Sequence, residues 1–101
     1  MLLFFYYVPE SHLDQVNQAL FELGLGSYLN YDSCCWYTKG QGQFRPLENS
    51  NPTLGTIGQI EKGEEYKVEM ICPDNLKEQA IETLNKAHPY ETPAYGFLVL
   101  Y

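Results

Sequence analysis

Apolar residues fall along this chain in groups whose spacing alternates between two periods. Residues 2–8, "LLFFYYV", form a short aromatic run closed by Pro9, the pattern of a buried strand. Leu13, Val16, Leu20 and Leu23 then recur at helical spacing with Ala19 beside them. Ser11 is the expected N-cap of that helix, Asp14 its first-turn acid, and Gly24 or Gly26 its end. Residues 31–38, "YDSCCWYT", predict a second strand. Residues 64–72 alternate strictly: Tyr66, Val68, Met70 and Cys72 share one face, and Glu65, Lys67 and Glu69 the other. Asp74 is the expected cap of a second helix carrying Leu76, Ala80, Ile81, Leu84 and Ala87, which Pro89 stops. Residues 94–101, "AYGFLVLY", predict the last strand.

The order β-α-β-β-α-β predicts an α+β, ferredoxin-like split βαβ over residues 1–101 as a single domain. Its four-stranded antiparallel sheet carries both helices on one face. Two helices cover only one face of such a sheet, and a strand with one wet face should alternate apolar with polar. Residues 2–8 and 97–101 do not: they are apolar on both faces. The second face therefore needs another cover, most simply another copy of the chain; the alternative is that tyrosines tolerate a half-wet surface. Residues 39–63 are the other anomaly, because connections this long are uncommon in small domains. Glycines and prolines give that stretch turns, and Phe44, Leu54, Ile57 and Ile60 give it anchors. Part of it is expected to lengthen the two middle strands into a long hairpin.

Composition narrows the function classes. The chain has 101 residues, 45% hydrophobic, with nine tyrosines and a net charge of −7, enough apolar material for one core. Its six Lys and Arg are scattered, so no basic stripe meets a nucleic acid. No apolar run reaches membrane-spanning length, and the apolar start lacks a basic n-region and a cleavage site, so a cytoplasmic protein is expected. Three cysteines, Cys34, Cys35 and Cys72, with no CxxC pair, fit reduced thiols better than a disulfide framework or zinc ribbon.

Four separated motifs carry a resemblance. "GQGQFRP" (40–46), "NPTLGTIGQIE" (51–61) and "HPYETPAY" (88–95), with "NYDSC" (30–34), resemble the domain inserted in bacterial YqfO proteins of the YbgI/YqfO family, the Ngg-one-interacting-factor-three-like proteins. That domain is similar to CutA and the PII signalling proteins, which implies a ferredoxin-like fold and a homotrimer. Full-length members bind a pair of metal ions in flanking halves; this chain has only His12 and His88, so that centre does not carry over. The family's glycine before the Asn-Tyr pair is Leu29 here, and Gly96 stands where an acidic residue is common.

Two kinds of site follow as expectations. His88, Glu91 and, from a neighbouring copy, Cys34 or Glu69 are donors suited to a divalent transition metal; the bland alternative makes His88 a helix cap. Gly40, Gly42, Phe44 and Arg45, with Tyr90 and Tyr95, are expected to hold a small ligand. Loop amides and the guanidinium would meet an anion there; the alternative is a glycine turn anchored by Phe44. The spacing is neither a Walker A loop nor a dinucleotide fingerprint. Cys34 with His88 as base lacks an orienting third group and an oxyanion hole. The expected function is a non-enzymatic trimeric module that senses a small ligand or metal ion at subunit clefts. The alternative is a purely structural oligomerisation or protein-interaction domain.

Overall fold

A computed structural model describes all residues, 1–101. Strand β1 spans Leu2–Val8, helix α1 Glu10–Leu23, β2 Trp36–Phe44, β3 Glu61–Cys72, helix α2 Lys77–Ala87 and β4 Tyr95–Val99. The strands form one antiparallel sheet in the order β2-β3-β1-β4. This is the split βαβ that the alternating periods imply.

Alternation sets the two sheet faces. In β1, Phe4, Tyr6 and Val8 are buried, and in β3, Val68, Met70 and Cys72 are. Leu13, Val16 and Leu20 of α1 and Ala80 and Leu84 of α2 complete the core over that face. Burying each large apolar side chain contributes roughly 1.5–3 kcal/mol. One polar group enters this core: the Tyr6 hydroxyl donates to Asn17 Oδ1, and the Asn17 amide reaches Cys35 Sγ at 4.0 Å. Burial pushes the Tyr6 phenol well above its ordinary pKa. The phenol is therefore a fixed donor, and no buried side-chain polar atom lacks a partner.

The opposite face carries Leu3, Phe5, Tyr7, Ile71, Leu98 and Trp36. Their places follow from the registers Phe5↔Glu69, Phe5↔Gly96, Leu3↔Ile71, Leu3↔Leu98 and Trp36↔Glu69. No helix covers it, and Trp36 is 71% exposed. Phe5 lies across Gly96, whose missing side chain leaves room for the ring, and Lys67 Nζ sits 5.2 Å from the same ring centre. The ring thus occupies the space that a side chain at position 96 would need.

Several boundaries differ from expectation. Pro9, not Ser11, precedes α1; no side chain caps it, and the Ser11 hydroxyl instead pairs with His12 Nδ1 at 2.8 Å. Proline at this position sets the entering φ without needing a donor. Asp74 does not cap α2: it opens a short 3-10 turn, Asp74–Leu76, and its carboxylate holds the Met1 amine at 2.6 Å. The second strand starts at Trp36, not at residue 31. Residues 28–31 instead form a tight turn, with Tyr28 and Tyr31 exchanging backbone hydrogen bonds. Gly26 joins this segment to the sheet end: its N–H donates to Ile71 O and its carbonyl accepts from Cys34 N–H. With φ +73° and Cys34 O only 2.6 Å from where a Cβ would stand, that position admits only glycine. The last strand ends at Val99. The long middle stretch resolves as expected in part. Strands β2 and β3 lengthen into a hairpin arm that makes the molecule 47 Å long and 24 Å across, and residues 45–60 close it.

Candidate functional site

The corner between α2 and β4 is built around the backbone of Tyr7. His88 ends α2 in an extended conformation, because Pro89 disfavours a helical residue before it. The residue is 6% exposed, and both ring nitrogens are engaged: Nε2 donates to the Tyr7 carbonyl at 2.6 Å, and Nδ1 accepts from the Tyr90 N–H at 3.1 Å. A carbonyl only accepts and a backbone N–H only donates, so the neutral Nε2–H tautomer is fixed. Burial pushes the imidazole pKa down, which agrees. The Tyr7 N–H donates in turn to Ala94 O at 3.1 Å, so residues 88–94 grip Tyr7 from both sides of its peptide.

The loop that closes the arm folds back onto this corner. Both Glu91 carboxylate oxygens accept the Asn51 N–H, at 2.9 and 3.3 Å, and the Thr53 hydroxyl donates to Pro89 O at 3.0 Å. Phe44, at the end of β2, meets Tyr90 with ring centres 6.5 Å apart. Segments 40–46, 51–54 and 88–94 therefore build one structure, which explains physically why those motifs occur together. Between them lies an open cleft of about 450 Å3, whose lining includes Tyr7, Phe44, Tyr90, Glu61, Glu65 and Glu91.

Gly40 and Gly42 are not loop residues: both lie inside β2, opposite Glu65 and Gly63. The two-residue spacing puts Gly40, Gly42 and Gly63 on the face that bears Tyr7 and Glu65, where they leave the sheet bare of side chains. Gly42 lines the cleft, and the Glu65 carboxylate leans over it into the space of its missing Cβ. Burial raises the Glu65 pKa; burial, then Glu65 and Glu61, raise that of Tyr90. Of the cleft carboxylates, Glu64 is paired with Lys39 at 3.1 Å and Glu91 with the Asn51 amide.

The other expected residues lie elsewhere. Gly40 lines a shallower hollow with Tyr7, Glu65 and Glu69. Arg45 is exposed and is not part of the cleft wall. Tyr95 packs its ring on Phe4 and Phe97 at the core edge, at 6.3 and 6.4 Å. Glu69 stands on the uncovered sheet face opposite Trp36 and Phe5. The Cys34 thiol meets the Asp32 carbonyl at 3.5 Å, and burial and then Cys34 raise the pKa of Cys35. Within one chain, no three His, Cys, Asp or Glu side chains converge to hold a metal ion. With both ring nitrogens bound to backbone, His88 is not placed as a base for Cys34. Tyr7, Glu65 and Gly63 are cleft residues outside every motif, and Glu61, at the end of the 51–61 motif, was not among the expected site residues. The signal for them is the Gly-x-Gly spacing, which on a strand marks a bare face rather than a phosphate cradle.

No family model matches the chain. CutA1 from Pyrococcus horikoshii superposes with a TM-score of 0.73 at 17% identity, over 99% of this chain and 83% of that one. The PII-like CutA of Nostoc does so with 0.71 at 14%, over 99% and 81%. These define the fold class as CutA-like. A Bacillus cereus protein related to NIF3 gives 0.85 at 34% identity, over 98% of this chain and 25% of its own. Proteins described as GTP cyclohydrolase 1 type 2 homologs are 43% identical over 94 residues in Halalkalibacterium halodurans and 38% over 94 in Mycobacterium leprae. Each match covers 93% of this chain. The chain spans about a quarter of the length of these relatives. It is thus related to one segment of the Ngg-one-interacting-factor-three-like proteins. No helix is long and apolar enough to cross a membrane.

Proposed function

We propose that this chain is a non-enzymatic, self-associating binding module, a homotrimer whose small ligand sits in the cleft at the root of the hairpin arm. The observation that carries the reading is the convergence of three sequence-distant segments on that one cleft, held by the Glu91–Asn51 and Thr53–Pro89 bonds. A volume of about 450 Å3 is in the range of small-molecule sites. The trimer is supported by the apolar face without a helix and by two unlike free edges, β2 and β4, which favour head-to-tail contacts that close as a ring. A cytoplasmic location goes with this reading.

The second reading is a purely structural assembly domain. The uncovered apolar face favours it, because that face needs a partner whether or not the cleft is filled. A thermal-shift panel of nucleotides, carboxylates, amines and Ni2+, Cu2+ or Zn2+ separates the two. The binding module predicts stabilisation by one class, about 2.7 kcal/mol at one hundred times its Kd, and loss of it in a Phe44→Ala variant. A metal response lost in Glu91→Ala would instead assign the His88–Glu91 donors, completed by a neighbour's Cys34 or Glu69, and would require His88 Nδ1 to release the Tyr90 N–H. A flat panel with assembly intact would leave the structural reading standing.

A further inference from the structure

The cleft has a definite chemistry. Its aromatic wall is Tyr7, Phe44 and Tyr90, and beside the Glu65 carboxylate that covers Gly42 the sheet is open at Gly63. Its charge is acidic: Glu61, Glu64, Glu65 and Glu91 line it against a single cation, Lys62. Two of those carboxylates are already used, by Lys39 and by the Asn51 amide. Glu65 is different. It leans over Gly42 with no charged or hydrogen-bonding partner, and burial alone disfavours its charge. A half-desolvated carboxylate beside π-faces is the arrangement that attracts a cation and repels an anion. A bare metal ion fits poorly, because no three donor side chains converge. The anion suggested by Arg45 fits poorly as well, since Arg45 lies outside the wall.

We propose that this cleft binds an organic cation, an ammonium or guanidinium group set against Glu65 and Glu61 on an apolar body that packs on Tyr7, Phe44 and Tyr90. This assignment rests on the cleft being the ligand site of the module. The isosteric probes tryptamine, tryptophol and indole-3-acetate test it by isothermal titration with the full chain at low salt. Tryptamine should bind at least about tenfold more tightly than tryptophol, and indole-3-acetate should not bind, because only the ammonium gains from a partly desolvated carboxylate. Glu65→Gln should weaken tryptamine about tenfold, as expected for a charge-assisted contact. Glu82→Gln removes the same charge from the α2 surface, where it pairs with Lys86, and should leave the affinity unchanged.

Equal affinities for the three probes, or equal losses in both variants, would overturn the proposal, the second by reducing the effect to net charge. If a nucleotide or a metal bound at the cleft while tryptamine did not, the organic-cation assignment would fall and the binding module would stand. If no probe and no member of the panel bound, both would fall.

Discussion

At the residue scale, two positions show what the chain's conformation requires. Leu29 occupies a left-handed conformation, φ 51°, in the Tyr28–Tyr31 turn and is 85% exposed. That is a conformation glycine adopts without a Cβ penalty. The leucine costs about 1 kcal/mol of backbone strain and exposes an apolar side chain. His88 is the other. Its neutral form is bonded on both nitrogens, and burial holds its folded pKa below the ordinary value near 6.5. The unfolded chain therefore binds more protons on acidification. His88 contributes stability fully above about pH 6.5, and this contribution is lost as the pH falls through the lower folded value. The urea midpoint should drop between pH 7.5 and 5.5, and His88→Asn should flatten that drop. The variant should also cost about 1–3 kcal/mol at pH 7.5, since the Tyr7 and Tyr90 peptide groups lose their partner. An unchanged pH dependence in the variant would remove His88 as its source. The sequence placed His88 at the helix end but did not show its ring turned inward, because the Tyr7 contact joins positions far apart in the chain.

At the element scale, the corner and the arm depend on each other. The alternation in residues 64–72 and the helical spacing of Leu13, Val16 and Leu20 were readable because each element buries one face. The arm was only partly readable. Strand β2 carries Gly40, Gly42 and Lys39 and is exposed almost throughout, so no apolar period marks it. Its strand form comes from pairing with β3, a non-local contact that propensity does not report. Gly42, Phe44 and Tyr90 of the cleft were among the expected residues; its acidic side escaped for the same reason. Glu61 and Glu65 lie in an ordinary acidic strand until the loop folds over them. That fold-back rests on Glu91. Glu91→Ala should expose the Asn51 amide, whose bond to the carboxylate contributes about 1 kcal/mol. Its hydrogen exchange should accelerate about fivefold, by the same 1 kcal/mol, while the β1 amides stay protected. Equal acceleration in β1 would mean general destabilisation, and no acceleration at Asn51 would mean the loop is held without Glu91.

At the scale of the whole molecule, the sheet has one finished face and one unfinished one. The finished face holds the core under two helices. The unfinished face displays Leu3, Phe5, Tyr7, Ile71, Leu98 and Trp36, relieved by Lys67, Glu69 and Glu65 from β3. An isolated chain would leave that surface in water, together with two unpaired sheet edges. Self-association would cover both, the expectation raised by residues 2–8, which are apolar at every position. The number of copies was not legible from that pattern. The proposed three copies rest on the family resemblance.

Sedimentation velocity on the untagged chain tests this most directly, run beside a Phe5→Glu variant whose new carboxylate would face Glu69 across the sheet. The account predicts a trimer for the parent chain across a wide concentration range and a folded monomer, by circular dichroism, for the variant. A parent chain that sediments as a monomer would contradict the account, and the open apolar face would then be a surface that the tyrosines and Lys67 keep in water.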